Sequence, residues 1–283
     1  MRRLSKWPWA LSSEPCAMSN GPTRLGANDT FRRFKPEPTH EVRKPVVTDQ
    51  SYIERARKAR QMLRSMTTDQ LLQVIEFYSE LNFFEAFALA KRENKLVVPN
   101  AVHDKVLTEI TDDEPLRQLY HVWKWTGTLV IYEKPNKKFG KNVSLSWEYE
   151  KVKYSVLFSI PKQFKGKRNC ALAMEHPDFE VIDLGNNRFE IKLVEGANIH
   201  LIANFPKQTS QRYKPHPETK IPQGEPVKNS KDARYLWRLD SAFIGPVARN
   251  VIDDRRRYIG ALYRPSIDFG VAFVSLASVP SSQ

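Results

Sequence analysis

Val143-Ser-Leu-Ser-Trp-Glu-Tyr149 and, two residues later, Val152-Lys-Tyr-Ser-Val-Leu-Phe-Ser-Ile160 alternate apolar with mostly polar side chains. A period of two belongs to β-strands with one buried and one solvated face. With Thr128 to Glu133 just upstream, these segments predict a three-stranded antiparallel meander. Further strands are expected at Cys170 to Met174, Phe179 to Asp183, Arg188 to Val194 and Ile199 to Ala203. Tyr235 to Leu239, Tyr258 to Tyr263 and Phe269 to Leu276 then close the β region. Between them, Pro206 to Ser230 holds five prolines and no aliphatic periodicity, so it reads as a long basic loop.

Upstream of Gly127 the period is helical. Tyr52, Ala56, Ala59, Leu63 and Met66 make an apolar stripe, and Arg55, Arg57, Lys58, Arg60 and Arg64 cover the rest of that helix. Those cations read as a solvated face, with direct phosphate binding as the alternative. Thr67 with Gln70 forms a capping box that opens a second helix running through Leu81. Phe83, Phe84 and Phe87 continue it after a break near Asn82 and belong in the core. Asn100 caps a third helix through Ile110, and Asp113, Glu114 and Pro115 open a fourth that ends at Gly127.

The fold class that follows is α+β, with helices first and an antiparallel sandwich or barrel after. Residues 1–50 form a basic arm with six prolines, nine Lys or Arg and too few aliphatic residues to offset the entropy of ordering. The expected division is that arm, a helical subdomain over 51–126, a β subdomain over 127–205, the basic Pro-rich loop over 206–232 and closing strands over 233–283.

Charge supplies the functional signal. The 283 residues carry a net charge of +13, which favours acidic partners. Between Lys134 and Arg168 there are ten Lys or Arg against two Glu. In a meander, the loop Lys134 to Lys141 and the segment Pro161 to Arg168 leave from the same end of the sheet. Lys134, Lys137, Lys138, Lys141, Lys162, Lys165, Lys167 and Arg168 then form one patch, with Phe139, Phe164 and Trp147 as stacking partners. Arg255, Arg256 and Arg257 follow Asp253 and Asp254 as a candidate phosphate clamp or a self-neutralising turn. The leading expectation is a non-enzymatic nucleic-acid-binding protein without cofactor. A viral or mobile-element coat or nucleocapsid subunit, able to self-associate, is the reading from another class.

Pro177-Asp178 followed by Glu190-Ile191-Lys192 resembles the PD-(D/E)xK pattern of metal-dependent nucleases, in which carboxylates hold Mg²⁺ or Mn²⁺. Register argues against it. The alignment that puts Phe179, Val181, Phe189, Ile191 and Leu193 on one face sets Asp178 opposite Val194 and Glu190 opposite Ile182. Four residues of offset is about 13 Å, too far to share an ion. Glu180 instead falls opposite Lys192, where an ordinary salt bridge is expected. No phosphate-binding Gly-rich motif exists, Asp268-Phe269-Gly270 lacks the other kinase elements, and His176, His200 and His216 have no partner that spacing identifies.

Two distant cysteines, Cys16 and Cys170, build neither a disulfide framework nor a zinc site. No run of 18 apolar residues occurs, and Pro8 interrupts the early apolar residues that would otherwise resemble a signal peptide. The expected location is cytoplasmic, nuclear or within a virion.

Overall fold

The computed structural model describes residues 49–109, 120, 123–207, 211–228, 233–238, 241–252, 256–261 and 269–278. The expected N-terminal arm lies almost wholly outside them. The fold is α+β, with helices near the start and a β-rich remainder whose sheets do not close into a barrel.

Helix α1 (Asp49–Ser65) buries Tyr52, Ile53, Ala56, Ala59 and Leu63, the stripe expected from the sequence. Helix α2 (Thr68–Val74) begins at the predicted capping box, in which Thr67 Oγ1 accepts from Gln70 N while Thr67 N donates to Gln70 Oε1. It stops after seven residues, and Ile75–Leu81 is strand β1 rather than more helix. The reason is tertiary: this β-branched and aromatic run pairs antiparallel with β15 (Phe269–Ser275), a ladder that outweighs weak helical periodicity. Asn82 and Glu85 cap α3 (Phe83–Arg92) reciprocally, and Phe83, Phe87 and Leu89 enter the core.

Strand β2 (Lys95–Val97), which the sequence did not signal, also pairs with β15. Helix α4 (Asn100–Glu109) starts at Asn100, but the Asn100 side chain does not cap it. Its Nδ2 donates to Thr219 O and its Oδ1 accepts from Arg249 Nε, so the residue ties helix to sheet. Beside it Asp104 accepts a two-pronged bond from Arg234 at 2.5 and 2.7 Å, with Arg249 2.9 Å away.

The expected fourth helix falls partly outside the described residues, and its predicted end is wrong. From Lys124 the chain is strand β3 (Lys124–Tyr132), with Gly127 inside it. A Cβ on Gly127 would sit 2.2 Å from Val97 O, so a side chain there would collide with the crossing backbone.

All nine residues of β3 are buried. A strand covered on both faces needs neighbours on both edges, and β3 has them in β13 (Phe243–Ile252), β15 and β6 (Ala171–Glu175). The alternating β4 (Asn142–Tyr149) and β5 (Val152–Ser159) instead keep one face toward solvent and form a separate sheet. The expected three-stranded meander is thus a two-stranded hairpin, and β3 lies elsewhere. The hairpin is completed by β8 (Arg188–Leu193) and β7 (Phe179–Asp183) in the order β4-β5-β8-β7.

The second sheet has eleven strands. It also takes in β9 (Ile199–Ile202) on β6, and β10 (Gln211–Pro215), β11 (Pro222–Gln223), β12 (Arg234–Arg238) and β14 (Arg256–Ala261) beyond β13. Strands β10 and β11 lie where a structureless loop was expected, and β13 was not anticipated. Both sheets are mixed rather than antiparallel, because β5–β8, β3–β15 and β12–β14 run parallel.

Three clusters make the core. The first joins Leu129, Ile131 and Phe273 of the large sheet with Phe158, Phe179 and Ile191 of the small one and with α3. The second lies beneath α1 and α4, on the opposite side of β15, through Ala272 and Val274. The third fills the curl of the large sheet around Tyr132, Phe205 and Phe243. No described helix is long and apolar enough to cross a membrane.

Candidate nucleic-acid interface

The two basic segments meet, although the three-stranded meander does not exist. One precedes β4 and the other follows β5, so a single hairpin brings them to one end. Ile160 N donates to Lys141 O at 2.9 Å, Phe139 N to Lys167 O at 2.8 Å, and Gly166 N to Phe139 O at 2.9 Å. Lys138 and Arg168 form an isolated antiparallel bridge. A short 3₁₀ turn (Lys162–Phe164) leads to Gly166, whose φ of +79° lets the chain double back.

Phe139 and Phe164 point inward from these segments and are buried in the first core cluster. They anchor the loops and are covered, so the expectation that they stack on bases is not met. Trp147 is half-buried near the far end of β4, parallel to Phe84 and Tyr154 at centroid distances of 6.4 and 5.5 Å. Lys134, Lys137, Lys138, Lys141, Lys162, Lys165, Lys167 and Arg168 are all exposed. Lys137 bonds the buried Glu133 at 2.9 Å, which leaves seven of the eight cations without an acidic partner among the described residues. Arg255 lies outside the described residues, while Arg256 and Arg257 open β14 opposite Ile252 and Val251.

The nuclease-like residues do not converge. The β7–β8 register is the one read from the sequence, with Glu180 opposite Lys192 and Glu190 opposite Ile182. The expected Glu180–Lys192 bridge is replaced: α3, packed over β7, offers Lys91 to Glu180 at 3.3 Å, and Lys192 pairs with Glu190 on its own strand at 3.4 Å. Asp178 faces the other way, into α1. Among the described residues no group of three or more His, Cys, Asp or Glu is placed to hold a metal.

Asp178 belongs to an ion cluster that spacing alone did not reveal. Its Oδ1 accepts from Arg57 Nε at 2.9 Å and its Oδ2 from Arg60 Nη1 at 2.6 Å. Arg64 Nη2 reaches Glu175 Oε2 at 2.5 Å, and Arg57 and Arg60 also donate to the carbonyls of Glu195 and Glu175. These α1 arginines are therefore engaged by β6 and β7 rather than forming a purely solvated face, although Arg64 keeps an exposed side. Burial pushes the Glu175 carboxyl upward against the opposing pull of Arg64 and Arg60.

His176, between the two acids, is buried as well. Its Nδ1 accepts from Val97 N at 3.3 Å, which puts the proton on Nε2 for a bond to Tyr52 Oη at 3.1 Å, and Tyr52 in turn donates to Lys95 O. Burial, helped by the Arg60 charge, pulls His176 down to about 3; burial chiefly does the same to His103. An unfolded histidine titrates near 6.5, so below that pH the unfolded chain binds protons that these sites refuse. Stability present at pH 7 should fall with acidification by about 2 kcal/mol per histidine at pH 5. Urea melts at pH 7 and 5 check this, and His176→Asn, whose Oδ1 can still accept from Val97, should remove about half of the drop.

Lys124 is a further residue without a sequence signal, buried on β3 with its stem across Gly270 and lowered to about 8 by burial. No family model, curated protein or solved structure matches the chain. Its chemistry rests on the geometry above.

Proposed function

We propose that this protein binds nucleic acid through the paired loops at the Lys141 end of the β4–β5 hairpin. The observation that supports this reading is the fixed patch itself: exposed cations on two segments hydrogen-bonded to each other and pinned to the core by Phe139 and Phe164. Anchored loops lose little entropy on binding, and each phosphate neutralised releases condensed counterions. With both loop phenylalanines buried, the patch reads the backbone rather than the bases.

The expected behaviour is affinity for duplex DNA with little sequence preference and a steep salt dependence. Seven available cations give a slope of log K against log salt no steeper than about −6. Fluorescence anisotropy with a labelled duplex between 50 and 200 mM salt measures it. Absence of binding at 50 mM, or a flat slope, would exclude the reading.

A further inference from the structure

The cleft between α3 and the β7–β8 hairpin reverses the sign of the rest of the molecule. It encloses about 460 Å³, the size of a small-ligand site. Its walls carry aromatic rings: Phe84 and Phe189 spend one face each on a mutual stack, with centroids 3.7 Å apart and planes within 9°, and Tyr154, stacked on Trp147, adds a further ring. At the floor Tyr52 and His176 bond to each other, and both stay neutral because burial raises the phenol and lowers the imidazole. The charged groups on the rim are Glu85, Glu180 and Asp183 against Lys91 alone, and Lys91 lies 3.3 Å from Glu180. A chain of net charge +13 thus carries a locally acidic, ring-lined cleft.

We infer that this cleft binds an organic cation, an alkylammonium group carried on an aromatic or hydrocarbon body. The faces of aromatic rings are electron-rich and attract ammonium groups, most strongly where water is excluded. The carboxylates at the mouth add a field of the matching sign, while the neutral floor accepts an apolar body. An anion meets the opposite on both counts, so this site is separate from the basic loops and does not depend on their role.

Calorimetric titration of the full chain with benzyltrimethylammonium, choline and the neutral analogue of choline in which carbon replaces nitrogen tests the assignment. Benzyltrimethylammonium should bind, and choline should bind about 3- to 30-fold more tightly than its neutral analogue. Asp183→Asn preserves the turn bond to Gly185 N and should weaken both cations, and Phe84→Leu should weaken them further. Thermal melts establish that each variant is folded. Equal affinity for choline and its neutral analogue would reduce the cleft to a simple apolar pocket, and indifference of the cations to Asp183→Asn in a folded protein would remove the rim from recognition. Absence of benzyltrimethylammonium binding at millimolar concentration would overturn the inference outright.

Discussion

Asp178→Ala should lower folding stability by about 3–5 kcal/mol, although the side chain removed is small and polar. Its carboxylate is 2% exposed and holds two guanidinium groups, Arg57 at 2.9 Å and Arg60 at 2.6 Å. Truncation strips Arg57 of its carboxylate and leaves Arg60 with only the longer 3.8 Å contact to Glu175, and the desolvation of these under-compensated charges against β6 and β7 dominates the loss. Glu180→Ala is the natural control. That residue also pairs with a cation across elements, but its Lys91 partner is 47% exposed, and water screens the pair to within about 1 kcal/mol. Urea denaturation of both variants separates the cases, and a loss below about 1 kcal/mol for Asp178→Ala would mean that α1 is held by its apolar stripe alone. Adding Arg57→Met and Arg60→Met to Asp178→Ala should recover part of the loss, because the penalty belongs to the stranded charges and not to the missing carboxylate.

The same cluster shows where sequence reading stops. The periodicity of Tyr52, Ala56, Ala59 and Leu63 revealed the buried face of α1, since a helix repeats every 3.6 residues whatever it packs against. Arg57, Arg60 and Arg64 flank that stripe, and nothing local distinguishes arginines facing water from arginines facing Glu175 and Asp178 more than a hundred residues away. Register was legible for β7 and β8, because one alignment alone sets Val181 and Ile191 on the same inward face, and the three-residue loop Gly185-Asn186-Asn187, all at positive φ, closes the hairpin through Leu184 and Arg188. It was not legible for β3, which is buried on both faces with Lys124, Thr126 and Thr128 interrupting its apolar residues, so no one face stands out to align, and whose neighbours β13 and β15 lie more than a hundred residues further along. Ile75–Leu81 failed for a related reason: β15 turns a helix-compatible segment into a strand. For the candidate interface, two basic loops flanking a legible hairpin were enough to bring the cations together, even with the third strand misplaced. The inward direction of Phe139 and Phe164 was beyond reach, as an aromatic residue in a basic loop reads equally as anchor or platform.

Replacing Lys138, Lys141, Lys162 and Lys165 together by Ala should produce the largest change in nucleic-acid affinity. Every lysine removed from a phosphate lowers the salt slope by about 1, so the slope should flatten by up to about 4 while affinity at 50 mM salt falls steeply. The fold should tolerate the change, because all four side chains are exposed and the loops are pinned by backbone bonds and by the two phenylalanines. Net charge alone predicts a fall too, so the informative comparison is a variant of identical charge. Lys58, Arg92, Lys151 and Lys153 are exposed cations outside the two loops, Lys151 and Lys153 lying at the opposite end of the same hairpin. If binding depended on the +13 charge as a whole, replacing those four by Ala would flatten the slope equally. A surface organised by the pairing of Phe139 with Gly166 and Lys167 predicts a near-normal slope for that variant and a collapsed one for the loop variant. Equal losses in the two would return the case for binding to composition.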